Sequence, residues 1–457
     1  MAFDAIVEQA AEHLPVSAMV RALLENCLND EFVDGIFAEH RRLQSQRKLV
    51  FSTIVSLLSV VVAKVYPSVH AAVVATKEQL NVSLTAIYNK LNGTDPEVSA
   101  ALLNVSAQRM AALIDELGSL PDPVLPGYRT LILDGNCIEA SEHRLEVVRE
   151  VAGGPLPGKG LVIYDPQRDL TTKLIPCEDG HAQERSLLAP VYASMSANDL
   201  FIADRNFCVS EFFWQAHERS VGVIIREHKN LPWSKITELV AVDKSGELFE
   251  QSIRVHMADG GYVTARRIVV HLDKETRDGD TSIALITNLP AEHASAATVA
   301  ELYRDRWTIE SHFGMISRAF AAEIPALGYP KAALLAWAVG FIAANVFAVI
   351  RAALRAAHPQ VDISSTVSEI KLAEDAQRTY EGMSAMSGTQ AWSPFQTLET
   401  PAIVAWLLRC ARNVVLGRYR KTGRGPKKPR SKRTAHAGSP HVSTARLLLE
   451  RKLALNG

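Results

Sequence analysis

The chain has 457 residues, 47% of them hydrophobic and 22% charged, and a formal net charge of −1. That length and composition suit a soluble globular protein with one large core and one or two smaller units. Near-neutral charge argues against a uniformly basic polyanion binder. The average hides a local excess, however: Arg418, Arg420, Lys421, Arg424, Lys427, Lys428, Arg430, Lys432 and Arg433 crowd one short stretch, and such a segment on a neutral body can bind a polyanion. The cysteines, Cys27, Cys137, Cys177, Cys208 and Cys410, are scattered, odd in number and lack a CxxC pair. This excludes a disulfide framework and a zinc knuckle and fits a reducing compartment. Cys177 and His181 have no second pair to complete a tetrahedral site and read as structural.

Residues 1–120 read as helical. The stretch Met1 to Val16 lacks a basic start followed by an apolar core, so no secretory signal is expected. Pro15-Val16-Ser17 opens a helix, and an apolar helix runs from Val50 to Val65. A segment Ala71–Leu80 followed by Asn81–Gly93 reads either as a helix-turn-helix or as an ordinary helical hairpin. The apolar runs Val50–Val65 and Leu334–Ile350 fall short of the roughly 20 residues of a spanning helix. They are expected to be buried core helices. Pro121-Asp122-Pro123 and Pro126-Gly127 mark a boundary.

From residue 128 the pattern changes to short apolar runs: Arg129–Leu133, Gly160–Tyr164, Leu170–Ile175, Leu200–Ala203 and Val221–Ile225. Helices are expected at Ala182–Ala193 and Cys208–Glu218. Strands mixed with helices predict an α/β sheet. The first three strands form an antiparallel meander, and helices lead to the fourth and fifth, an order that is ribonuclease-H-like. Residues 228–290 read as a β-rich insertion, split by Asp259-Gly260-Gly261 and Asp278-Gly279-Asp280. The chain is then helical through Ala357, again at Val367–Tyr380, and again at Ala402–Leu416. The expected organisation is a helical region at 1–120, an α/β catalytic core at 128–227, the insertion at 228–290, core completion at 291–330, a C-terminal helical region at 331–417, and a basic tail with a terminal helix at 418–457. The Gly, Pro, Lys and Arg of the tail cannot bury a core, so it is expected to stay unfolded until bound.

Asp134 ends the first strand and Asp204 the fourth. Each alone could be a turn or N-cap residue. If the two strands are neighbours, both carboxylates point into one crevice beyond the strand ends, where they repel each other unless a cation intervenes. Hard divalent ions take such oxygen ligands. The segment Leu302–Ile316 is helical by period. Leu302, Ile309, Phe313, Ile316 and Phe320 form its packing face, while Tyr303, Arg306, Glu310 and Ser317 form a second stripe. That stripe offers a carboxylate for a metal and a guanidinium for a phosphate; the alternative is a solvated face with an Arg306–Glu310 ion pair.

Tyr303, Arg306 and Glu310 reproduce the spacing Tyr-x2-Arg-x3-Glu. With Asp134-Gly135, with Asp204 in Ala-Asp-Arg-Asn-Phe, and with Asp179-Gly180-His181 followed by Glu184-Arg185, the chain resembles DDE transposases of the insertion sequence 4 family. The Pro15–Arg21 segment and the Phe51-Ser52 helix resemble that family's N-terminal region. The resemblance implies a catalytic triad of Asp134, Asp204 and Glu310. These would hold two Mg²⁺ ions (Mn²⁺ as a substitute), one activating the nucleophile and one stabilising the leaving oxygen. It further implies that Tyr303 and Arg306 grip phosphate and that double-stranded DNA, as element ends and as target, is the partner. Two protomers would pair the ends as a homodimer, in the bacterial cytoplasm at the nucleoid and without membrane attachment. The reaction would be strand cleavage and strand transfer. A catalytically impaired or repurposed DNA-binding derivative is the alternative. The family pattern continues, after six intervening residues, to a Lys; here that position is Ser317. Either Arg318 supplies the phosphate contact or it is lost. Arg424, Lys427, Lys428 and Arg430 would add salt-sensitive DNA affinity. Arg41, Arg42, Arg47, Lys48, Lys77 and Lys90 are further candidate phosphate contacts, or solvated surface charges.

Overall fold

The computed structural model describes residues 3–42, 44, 49–76, 82–139, 141–242, 246–275, 279–388, 390–423 and 439–456. Its middle is one mixed sheet. The strands are β1 (Arg129–Cys137), β2 (Lys159–Asp165), β3 (Leu170–Cys177), β4 (Asp199–Ala203), β5 (Gly222–Arg226), β6 (Trp233–Lys235), β7 (Leu248–His256), β8 (Tyr262–His271) and β9 (Ser282–Thr287). Their spatial order is β3-β2-β1-β4-β5-β9-β8-β7-β6, and the short strand Val240–Ala241 pairs with β7. β1, β2 and β3 form the expected antiparallel meander, and β4 and β5 lie parallel to β1. β9 pairs antiparallel with β5, so the strands between 228 and 290 continue this same sheet.

Alternation along the strands sorts the side chains onto two faces. Leu131 and Leu133 of β1 join Leu161, Ile163, Phe201, Ala203 and Phe212 in one core cluster. Ile132 points the other way, against Tyr164 and Ile309. Ile202 and Ile224 likewise face Leu302 and Tyr303. β1 outlasts the apolar run that announces it: it continues past Asp134 to Cys137 because β2 supplies partners as far as Lys159. Asp134 is thus inside a strand rather than at its end.

The connection from β3 to β4 also departs from expectation. Instead of one helix over Ala182–Ala193 there is a 3₁₀ turn, Glu184–Leu187, and a single helical turn, Ala189–Tyr192. Pro190 has no N–H to continue a helix from residue 186, and its ring obstructs the preceding turn.

The helices used below are α1 (Pro96–Glu116), α2 (Ala296–Arg304), α3 (Trp307–Ala319), α4 (Pro330–Ala357), α5 (Glu369–Ser387) and α6 (Thr444–Asn456). α1 and α4 pack on each other and on β3. α4 has 28 residues, longer than the Leu334–Ile350 run, and by length and composition it could cross a membrane. The shortness of that run was therefore a poor guide. Burial along the helix is what marks it as core, for its most apolar window is 94% buried inside the protein. Buried residues from Val7 to Tyr419 form one continuous cluster around α4, so helices from both ends of the chain share a core. Gly340 of α4 is required by close approach: a Cβ there would overlap Ala322.

The start of the basic tail is anchored, contrary to expectation. Leu416–Tyr419 is a 3₁₀ turn. Arg420 bridges to Val367, and the Lys421 N–H donates to the Thr366 carbonyl at 2.7 Å. Beyond the tail, Val442–Ser443 adds a parallel strand to Pro155–Leu156, and α6 follows. Arg446 of α6 pairs with Asp179 at 2.8 Å, and Arg451 pairs with Glu146 at 2.8 Å.

Asn345 is fully buried in α4 and locks that helix to the sheet. Its Oδ1 accepts from the Thr171 N–H at 2.9 Å and its Nδ2 donates to the Thr171 carbonyl at 2.8 Å. Asn345→Ala strands both backbone groups, at a cost of about 3 kcal/mol. The expected outcome is a clearly lowered denaturant midpoint; an unchanged midpoint would refute the lock.

Candidate active site

The site begins with a register. Leu133 of β1 is paired with Ala203 of β4, so the next residue on each strand, Asp134 and Asp204, emerges side by side. Strand parity puts Asp134 on the face that carries Ile132, under α3. Asp204 leaves its strand to cap the 3₁₀ turn Arg205–Phe207, accepting from the Asn206 N–H at 2.7 Å. Asp134 accepts from the Gly135 N–H at 2.9 Å.

The third component comes from across the sheet. The helix expected over Leu302–Ile316 is two helices, α2 and α3, broken at Asp305-Arg306. At the break the bonds run over three residues: Arg306 to Tyr303, Thr308 to Asp305 and Ile309 to Arg306, at 3.1, 2.9 and 3.2 Å. This tightening turns Arg306 inward, where it is only 8% exposed. Its Nη1 donates to Asp134 Oδ2 at 3.3 Å and its Nη2 to Glu310 Oε1 at 3.3 Å. The guanidinium also lies 6.0 Å from the Tyr303 ring and 5.7 Å from the Trp307 ring. Tyr303, Arg306 and Glu310 therefore straddle a break rather than share one helical stripe. The packing face itself is as expected, with Leu302, Ile309, Ile316 and Phe320 buried.

The helix carrying Glu310 is held down by His312. The ring stacks on Tyr164 at 4.4 Å, and Nε2 is 3.0 Å from Thr171 Oγ1. Burial pushes its pKa down to about 3, so it stays neutral.

Burial raises the Asp134 carboxyl to about 7, with the charges of Asp204 and Glu184 adding; Arg306 and the Gly135 N–H oppose the rise. Two further negative groups near one buried carboxylate call for positive charge. Arg306 supplies some, bridging Asp134 and Glu310. Among the described residues no three His, Cys, Asp or Glu side chains converge closely enough to hold an ion as they stand. The donor chemistry nonetheless fits one: carboxylate oxygens suit hard divalent ions.

The other candidates fall elsewhere. Arg318 is exposed and folds back along α3 beside Gly314, and its carbonyl accepts from Lys64. It is not drawn into the Asp134 cluster, and Ser317 is exposed beside it. Arg424, Lys427, Lys428 and Arg430, with Arg47, Lys48 and Lys77, lie outside the described residues. Arg42 pairs with Glu97 at 2.5 Å. Lys90 is buried with its ammonium 3.7 Å above the Phe37 ring, and burial lowers its pKa to about 8, which removes it as a phosphate contact. Sequence reasoning passed over Lys159 and Trp307. Lys159 follows a glycine in a bland stretch and gives no signal. Trp307, 61% exposed beside Arg306, could have been flagged as a large aromatic off the packing face.

A family model described as a transposase DDE domain matches residues 126–346. That span runs from just before β1 into α4 and contains Asp134, Glu184, Asp204, Tyr303, Arg306 and Glu310. No curated protein matches the chain.

A carboxyl raised from 3.8 to about 7 in the folded protein binds its proton more tightly there than in the unfolded chain. Its contribution to stability is therefore present below the unfolded value and is lost as pH climbs toward the folded one. Metal-free wild type should lose thermal stability relative to Asp134→Asn across that window. Parallel melting curves at successive pH values test this, and a constant difference would contradict the assignment.

Proposed function

From the premise that residues 126–346 belong to the transposase DDE domain family, we propose that this chain is a cut-and-paste transposase of the insertion sequence 4 type, binding the terminal inverted repeats of its own element. The observation that carries the reading is the buried Arg306, which bonds to Asp134 and Glu310 and also feels the charge of Asp204. Support for a ribonuclease-H-like core comes from the strand order β3-β2-β1-β4-β5, with only β1, β4 and β5 parallel.

In this reading Asp134, Asp204 and Glu310 would hold Mg²⁺ as oxygen ligands. Bound divalent ions would neutralise charge on the attacking and leaving oxygens of a phosphodiester. The chain's own residues do the rest. Arg306, released from Asp134 and Glu310, turns its planar fork to a phosphate beside the scissile bond. The Tyr303 ring backs the guanidinium and limits its swing. Holding a cation would require Asp134, raised to about 7, to be deprotonated, which would make assembly of the site pH-dependent. His312 keeps α3, and hence Glu310, against the sheet while the charge around it changes. Two chains acting as a homodimer would pair the two ends.

The reading is tested with DNA carrying the inverted repeats that flank the reading frame. Asp134→Ala, Asp204→Ala and Glu310→Ala should each reduce Mg²⁺-dependent cleavage to background while end binding in a gel-shift assay persists. Wild-type cleavage by any of them would refute the triad. Ser317→Lys should keep or raise the cleavage rate; a strong loss would mean that Arg318, or a different geometry, already fills that phosphate contact.

A further inference from the structure

The Asp179-Gly180-His181 and Glu184-Arg185 motif has no role in the chemistry above, yet one of its residues reaches the site. Glu184 opens the 3₁₀ turn that replaced the expected helix, and its side chain is 18% exposed. The carboxylate lies over Gly135, so closely that a Cβ at residue 135 would overlap it. Its Oε2 accepts from Asn206 Nδ2 at 3.2 Å. Its Oε1 is 3.6 Å from Lys159 Nζ, which also donates to the Ala182 carbonyl at 2.9 Å. Gly135 follows Asp134, and Asn206 lies in the turn capped by Asp204. One carboxylate from a third element thus touches the neighbours of both aspartates.

We propose that Glu184 is a positioning residue: clamped by Lys159 and seated on Gly135, it holds the Asn206 turn and so fixes Asp204 relative to Asp134. The inference rests on the reading of that pair as the metal-holding aspartates. The register Leu133–Ala203 sets where β4 ends beside Asp134, and the turn after Ala203 lies beyond that pairing. Asp204 accepts from the Asn206 N–H within that turn. Phe207 anchors the turn in the core, and the Asn206 side chain ties it to Glu184. Lys159, in β2 opposite Cys137, balances the charge of Glu184. Glu184 therefore acts as a hydrogen-bond acceptor at a fixed point rather than as a free ligand.

Outer-shell partners of metal ligands typically change metal affinity or activity by about 10–100-fold when removed. Full-length wild type, Glu184→Ala, Glu184→Gln, Asn206→Ala and the Glu184→Ala/Asn206→Ala double variant are compared in two assays. One is direct Mn²⁺ binding, followed by the electron paramagnetic resonance signal of free Mn²⁺; the other is Mg²⁺-dependent cleavage of end DNA. Glu184→Ala should weaken Mn²⁺ binding and slow cleavage, each by about tenfold or more. Glu184→Gln keeps an oxygen acceptor for Asn206 and should recover most of both. The double variant should be no worse than the worse single one, because the two residues act through one bond. Wild-type Mn²⁺ affinity in Glu184→Ala would overturn the proposal. So would Glu184→Gln as poor as Glu184→Ala, which would make Glu184 a metal ligand, or additive losses in the double variant. Failure of the wild type to cleave would sink the transposase reading, while the Mn²⁺ titrations would still decide the role of Glu184.

Discussion

The pairing of Leu133 with Ala203 is the constraint on which the site depends. It makes β1 and β4 parallel neighbours, and it brings both to the point where the next residue is an aspartate. Two carboxylates this close to a low-dielectric core destabilise each other. The fold tolerates the arrangement because Arg306 is drawn in from the opposite element. The rise of the Asp134 carboxyl to about 7 comes mainly from burial, and the charge of Asp204 adds to it. It marks a place where a cation stronger than one shared guanidinium would be welcome.

The break between α2 and α3 follows from the same demand. A continuous helix would keep Arg306 on its flank. Three-residue bonds at the break turn the guanidinium under the sheet edge, where it meets Asp134 and Glu310. Rigid anchors stand on either side. Leu302 and Tyr303 pack on the sheet before the break, and Ile309 and His312 pack on it after. The backbone that carries Arg306 and Glu310 is thus held to the sheet on both sides of the break.

Much of this was legible in the residues. Apolar runs ending in aspartate picked out Asp134 and Asp204, and the meander followed by two connected strands gave the sheet order around them. What was not legible has physical causes. Leu302, Ile309, Ile316 and Phe320 keep helical spacing straight through the break, so periodicity could not reveal it. β1 extends to Cys137 because of a partner strand, which no local propensity records. The apolar run of α4 understated a 28-residue helix because its ends carry Lys331 and Arg351, whose stems and charges are satisfied by Asp95, Asp169 and Glu369. Lys90 looked like a surface cation and is instead buried over Phe37. The clamp by Glu184 needed three distant segments to meet, although its motif had been visible as a resemblance without a role.

The proposed function requires a divalent cation to take over from Arg306 among Asp134, Asp204 and Glu310. Anomalous scattering from crystals of the wild-type protein grown with Mn²⁺ tests it most directly. The account predicts Mn²⁺ bound to the carboxylates of Asp134 and Asp204, with Arg306 withdrawn from Asp134. Ordered carboxylates without Mn²⁺, with Arg306 still bridging Asp134 and Glu310, would contradict it.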